Sequence, residues 1–441
     1  MRRRELLIGG VAAGIAAPAF ASRTDSPEIS QLRIAARQAF LYALPLTEVA
    51  NVRARLLGAG LPAGRFFPQR ALATPEARNV TTPNNDTIYA TTFIDLSHGP
   101  ARLTLPPLGD RYASLAIMDM FSDNIAVLGT RTTGSEGGVF TLVGPSQEAS
   151  PQAIRSPTSW VWVLARVVVN GPADLAAAAA VLSGFGVEAA PGPSAWAPGA
   201  NRNGPWPAWF KAANALMLES PAPATDAAIL RRMAPLGLAM AAFDPGRFSS
   251  AEAAEIAAGV DDARQDIKAE GFGGKTIGGW VYQAADAGNF FQDYLGRARI
   301  AVGGLAALPP AEAMYLTAVS PQGKTRFDGD GLWRLHLRRD ALPPVNAFWS
   351  LTMYEAEPEG GFFLTRNPIN RYAIGDRTPG LVWSTDESLT IWISRTDPGG
   401  VRSANWLPAP AKGSFTMVLR AYLPQPELIS QSYTPPAIEK A

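Results

Sequence analysis

The sequence predicts an α+β protein: a β-rich N-terminal module, a helical middle segment and a C-terminal antiparallel β-sandwich of jelly-roll type. Three observations carry this prediction. Short apolar runs broken by turn residues fill the stretch from Asn84 to Asn170 and return from Tyr315 onward. Alanine-rich stretches of helical period lie between them. The chain has 441 residues with 41 Gly and 38 Pro, too long for one ordinary core and rich in turn formers.

The elements follow in order. Arg2, Arg3 and Arg4 precede a short apolar run, Leu6 to Ala17, and Ala19-Phe20-Ala21 offers a small-x-small cleavage pattern. Residues 1–21 therefore read as a signal peptide. The order Arg3-Arg4-Glu5-Leu6-Leu7 is that of a twin-arginine leader, which predicts export after folding and a periplasmic or secreted location. Residues 28–44 have helical period, and Pro45 is expected to stop that helix. Residues 61–83 read as loop. Trp160 to Val169 is a nearly unbroken apolar run, which suits a strand buried on both faces, and Arg166 within it must find a partner or reach the surface.

Helical period occupies residues 173–182, 225–243, 251–269 and 280–302, with a Pro-, Gly- and Ala-rich loop at 186–206. Beyond Pro309-Pro310 the pattern alternates again. Trp333, Leu335 and Leu337 share one face and Arg334, His336 and Arg338 the other. Further strands cover Phe348 to Tyr354, Leu389 to Ile393 and Phe415 to Tyr422. The predicted boundaries are 1–21, 22–170 for the N-terminal helix and β-rich module, 171–308 for the helical segment, and 309–441 for the sandwich.

Composition excludes several functions. Loss of the leader removes three arginines and one glutamate, so the formal charge of +1 becomes −1. A near-neutral chain with interspersed charges carries no footprint for nucleic acid. No other apolar stretch reaches spanning length, so no stable membrane insertion is expected once the leader is gone. The absence of cysteine excludes thiol nucleophiles and thiolate metal sites. With only His98 and His336, no histidine-rich metal centre can form, and no G-x-S-x-G elbow supports a serine triad. No G-x-G-x-x-G follows a strand, so no nicotinamide or flavin cofactor is predicted, and no metal.

Two sets of motifs carry a family resemblance. Pro83-Asn84-Asn85-Asp86-Thr87-Ile88-Tyr89, Asp110-Arg111-Tyr112, Met118-Asp119-Met120 and Gly129-Thr130-Arg131-Thr132-Thr133-Gly134 resemble the domain of unknown function 1254. Phe348-Trp349-Ser350-Leu351-Thr352-Met353-Tyr354, Asn367, Arg371-Tyr372, Asn405-Trp406-Leu407-Pro408-Ala409-Pro410 and Arg420-Ala421-Tyr422 resemble its partner, the domain of unknown function 1214. The resemblance spans roughly residues 30–440. It implies β-rich modules, the second jelly-roll-like, with helices between, and no settled activity. Members of the family usually carry Asp-Gly-Ser-Leu where this chain has Asp386-Glu387-Ser388-Leu389. Glu tolerates positive φ poorly, so a different turn is expected there.

Candidate chemistry sits at turns of both modules. Asn84, Asn85, Asp86 and Thr87 cluster side-chain oxygens before a strand, where they serve either a ligand or an Asx-turn. Asp86 and Asp119 form a candidate carboxylate pair for acid–base work, unless each is neutralised by an arginine. Asn84, Asn85 and Tyr89 would position substrate. Trp349, Arg371, Tyr372, Asn405 and Trp406 combine aromatic faces with donors, as in small-ligand pockets, or else form core.

Two functions follow. The first is an exported hydrolase-type enzyme acting on a small organic or carbohydrate-like molecule through Asp86 and Asp119. The second is a non-catalytic periplasmic ligand-binding or envelope-interaction protein. Either reading makes a small molecule the partner.

Overall fold

The computed structural model describes residues 31–78, 81–148, 150–192, 195–268, 273–329, 331–357 and 361–441. The predicted leader, residues 1–21, lies outside the described residues. Helix and strand take nearly equal shares, 28% and 27%, and the fold is α+β.

The first helix, Gln31–Gly58, runs straight through Pro45, where the sequence predicted a stop. A proline inside a helix removes one backbone bond and costs about 3 kcal/mol. Ala43, Leu44, Leu46, Val49 and Ala50 are all buried on either side of it. Burial of each large apolar side chain returns about 1.5–3 kcal/mol, so packing overrides the local penalty.

The N-terminal module is two packed sheets. One has five strands in the order Phe67–Gln69, Thr87–Asp95, Trp160–Val168, Ala113–Met118, Asn124–Gly129. The other has four: Ile154–Arg155, Gly138–Val143, Ala101–Leu105, Gly186–Ala189. Trp160–Val168 lies mid-sheet and is buried at all nine positions, as its unbroken apolar run requires. Gly186–Ala189 closes the second sheet from within a stretch that reads as loop, because four short residues carry no period of their own.

Five helices among the described residues fill most of the middle: Leu175–Ser183, Trp206–Glu219, Ala227–Met233, Ser250–Ile267 and Tyr294–Gly303. Ser249 and Glu252 close a capping box on the fourth. The helix predicted at 280–302 is replaced in its first part by a strand, Trp280–Gln283, paired with Gly273–Ile277. Gly278 and Gly279 both have positive φ, the geometry of a tight hairpin, and Trp280 and Tyr282 are driven into the C-terminal core.

The C-terminal sandwich pairs a seven-stranded sheet with a four-stranded one. The larger runs Gly273–Ile277, Trp280–Gln283, Ala313–Ala318, Phe415–Pro424, Val345–Ala356, Phe362–Phe363, with Ala373–Gly375 also paired to Val345–Ala356. The smaller runs Trp406–Pro408, Leu389–Ser394, Trp333–Leu337, Glu439–Lys440. Trp333, Leu335 and Leu337 point into the core, while His336 is exposed and meets Thr390 Oγ1 through Nδ1 at 2.9 Å. The turn at Asp386–Leu389 holds a left-handed residue without a glycine. Glu387 itself adopts φ 61° and pairs with Arg339.

Strand alternation gives each large sheet two faces. Ile88, Val163, Ala165, Leu115 and Ile117 fill the N-terminal sandwich. Trp349, Leu351, Met417, Leu419 and Leu316 fill the C-terminal one. The opposite faces meet in a third core shared with the helices, where Phe93, Trp162, Tyr112, Phe348, Val418 and Tyr422 are buried together. Tyr112 packs edge-on against Phe348 and Tyr422, with centroids 5.6 and 5.3 Å away. The junction of the modules is thus a buried contact between two sheets.

Candidate functional site

Polar groups are concentrated on those facing surfaces. On the N-terminal sheet Arg166 pairs across one ladder with Tyr89 and across the other with Ser114. On the C-terminal sheet Arg420 pairs with Tyr315 on one side and Ser350 on the other. Each sheet therefore presents a row of tyrosine, arginine and serine toward the other module.

The two arginines are satisfied differently. Arg420 Nη1 donates to Thr352 Oγ1 at 3.0 Å and Nη2 to Thr82 O at 2.9 Å, and its guanidinium lies 5.5 Å from the Tyr354 ring centroid. Arg166, 5% exposed, donates from Nη2 to Ala306 O at 2.7 Å, while its Nη1 is buried with no hydrogen-bond partner. Its guanidinium lies 5.6 Å from the centroid of Tyr89, a ring that is only partly buried. No carboxylate bonds either guanidinium among the described residues.

Tyrosines surround both cations. Tyr315 and Tyr422 are within electrostatic reach of both Arg166 and Arg420. Burial raises Tyr315 and lifts Tyr112 and Tyr422 well above the ordinary phenol range; it takes Tyr354 up to about 12. At neutral pH these groups are uncharged O–H dipoles, so they solvate the arginines without neutralising them. Tyr422 Oη accepts from Asn84 Nδ2 at 2.6 Å, which leaves its own proton free to donate.

Asp86 stands beside this cluster, 5% exposed. Ser350 Oγ donates to Oδ2 at 2.6 Å and Arg377 Nη2 to Oδ1 at 2.8 Å. Arg377 also donates to Val169 O at 2.7 Å and stacks 3.9 Å above the Phe348 ring. Asp376 is 3.7 Å from Arg377, and burial raises it to about 6. Buried Glu312 lies alongside and accepts from Tyr112 Oη at 2.9 Å and from Nε of the exposed Arg131 at 2.6 Å.

The other candidate residues are placed as follows. Asn84 Oδ1 accepts from the Asp86 backbone N–H at 2.6 Å, an Asx-turn, while its amide reaches across to Tyr422. Asn85 donates to Ala73 O at 2.7 Å. Asp119 does not join Asp86. Its Oδ1 accepts from Phe121 N–H and Asp123 N–H at 2.8 and 3.0 Å, and Asp123 pairs with Arg297 at 3.2 Å. The ladders place them at opposite ends of the sheet, with Thr87 opposite Val168 and Met118 opposite Trp162, so the two carboxylates are not brought together.

The C-terminal candidates are drawn into the sandwich. Trp349 is buried in its core, because odd positions of that strand face inward. Asn405 spends both ends of its amide on the backbone of Val382. Trp406 Nε1 donates to Ser394 O at 3.0 Å, and Arg371 Nη1 donates to Ala404 O and Trp406 O. Together they strap the Trp406-Leu407-Pro408 segment to the sheet. Tyr372 donates to Asn370 Oδ1 at 3.3 Å and borders a surface groove of about 490 Å³ with Glu76 and Arg366.

Sequence reasoning missed Arg377, Ser350 and Arg420. A signal existed for Arg420: like Arg166, it interrupts an otherwise apolar strand, Phe415–Pro424, buried at all ten positions. Among the described residues no cluster of three or more carboxylates or imidazoles is placed to hold a metal. None of their helices is long and apolar enough to cross a membrane.

The comparisons agree with this architecture. The family described as protein of unknown function (DUF1254) matches residues 63–189, and protein of unknown function (DUF1214) matches residues 312–426. The first match ends at Ala189, the last residue of the strand that closes the N-terminal sandwich. The crystal structure of the VPA0106 protein from Vibrio parahaemolyticus is similar, with a TM-score of 0.69 and 20% identity over 93% of this chain and 100% of that one. A putative uncharacterized protein from Burkholderia cenocepacia gives a TM-score of 0.45 at 13% identity, over 90% of this chain and 92% of that one. No curated protein matches. The chain therefore belongs to the family that pairs DUF1254 with DUF1214, in that order along the sequence.

Proposed function

We propose that this protein is an exported binding protein that holds a small molecule at the junction of its two β modules. The observation that carries the reading is Arg166: a buried cation with an unpartnered nitrogen, set in a ring of neutral phenols. Burying an unpaired charge costs several kcal/mol, and a ligand that completes its bonding would offset that cost. The twin-arginine pattern at Arg3-Arg4 supports export.

The competing hydrolase reading rests on Asp86, and the geometry favours it less. A general base must come within hydrogen-bond reach of the proton it takes from substrate or water, and Asp86 is 5% exposed. Both oxygens of Asp86 are engaged, by Ser350 and Arg377 of the other module. That arrangement suits an anchor between the modules.

A thermal-shift screen of the mature chain, followed by mass analysis of the recovered compounds, separates the two. A compound that raises Tm and returns unchanged supports binding. A compound that returns cleaved overturns it in favour of the enzyme.

A further inference from the structure

We propose that the ligand received between the facing tyrosine–arginine–serine rows is a small monoanion bearing a carboxylate, with Arg166 as its principal contact. The inference rests on the binding reading above and adds the chemical class.

Charge balance comes first. At the junction three guanidiniums, Arg166, Arg377 and Arg420, face two carboxylates, Asp86 and Asp376. Arg131 and Glu312 neutralise one another nearby. Asp86 is bonded to Arg377 and lies within reach of Arg420, which leaves Arg166 without an anion. The excess is one positive charge, and one negative charge completes it. A dianion such as sulfate would overshoot.

Geometry comes second. A guanidinium presents parallel N–H donors in a plane, which match the two oxygens of a carboxylate. Arg166 holds one fork position on Ala306 O and keeps Nη1 unpartnered and buried. The Tyr422 hydroxyl, whose oxygen already accepts from Asn84, retains a proton for a second oxygen. Tyr89, partly buried and stacked on Arg166, is the ring nearest solvent, so entry runs past it.

The test is a thermal-shift titration of the mature chain at pH 7 and constant ionic strength. The probes are acetate, pyruvate, lactate and benzoate, their amides, and inorganic sulfate. At least one carboxylate is expected to raise Tm with saturation while its amide does not. Arg166→Met is expected to weaken that response roughly thirtyfold or more. Should that variant fail to fold, the contrast between acid and amide in the unaltered chain still decides. Equal shifts from acid and amide would overturn the anion inference and leave the binding reading standing. A preference for sulfate would overturn the monoanion class. No shift from any probe would sink the inference, whereas a neutral compound found by broader screening would still uphold the binding reading.

Discussion

Arg166 and Arg420 occupy matching stations on two facing sheets, each with a tyrosine across one ladder and a serine across the other. They differ in one respect. Arg420 spends both terminal nitrogens on the protein, and Arg166 spends one. The junction is thereby bonded through both nitrogens on the C-terminal side and underbonded on the N-terminal side. Four predictions follow from this arrangement and from the chemistry around it.

Arg166→Met removes a buried charge that no carboxylate pairs. It leaves Ala306 O without a donor, a cost of about 1 kcal/mol, and relieves a larger desolvation penalty. The ligand-free variant is expected to be more stable than the parent by roughly 1–3 kcal/mol in denaturant melts. A loss of stability would mean that Arg166 is already satisfied by the fold.

Asp86→Asn replaces a buried carboxylate that accepts from Ser350 and Arg377. The variant leaves the Arg377 charge without its closest anion, and a fall of about 3 kcal/mol is expected. Thermal denaturation measures it. A Tm unchanged within a degree, together with lost turnover on some substrate, would return Asp86 to the catalytic role that the sequence suggested.

Glu387 holds φ 61° in an exposed turn. A left-handed conformation costs a non-glycine residue roughly 1 kcal/mol, more than its surface pair with Arg339 contributes. Glu387→Gly is expected to raise stability by roughly 0.5–1 kcal/mol. A drop on equilibrium unfolding would show that the ion pair outweighs the strain.

How much of this was legible in the sequence depends on the range of the contact. Alternation revealed the inward faces of Trp333–Leu337 and the buried run Trp160–Val168, because a period of two is local. The Asn84 turn was legible for the same reason. Pro45 misled because the stop signal is local and the burial that overrides it is not. Trp280–Gln283 read as helix although Gly278-Gly279 marks a local hairpin with Gly273–Ile277, because four residues are too few to show a period of their own. The bonds of Asp86 join positions 264 and 291 residues apart, and nothing in a single sequence pairs such positions. Arg166 was visible as an arginine needing a partner; that one of its nitrogens lacks one was not.

Asp119 supplies a pH-dependent signal. Burial, reinforced by the Asp123 charge and opposed by Arg297, raises its carboxyl from 3.8 to about 7. Between those values the folded chain holds a proton that the unfolded chain has released. Stability contributed by this group is therefore present in acid and lost as pH rises toward 7. Asp119→Asn keeps an acceptor for the Phe121 and Asp123 N–H groups and removes the titration. Its stability relative to the parent is expected to improve by roughly 1–3 kcal/mol between pH 5 and pH 8. A gap that stays constant across that range would refute the assignment.

The central claim is that a small molecule is held between the modules at Arg166. Calorimetric titration of the protein and of its Arg166→Met variant, both with the strongest carboxylate among acetate, pyruvate, lactate and benzoate, tests it most directly. Saturable heat from the parent and none from the folded variant is the predicted result. Identical heats from both proteins would place the ligand elsewhere and contradict the account.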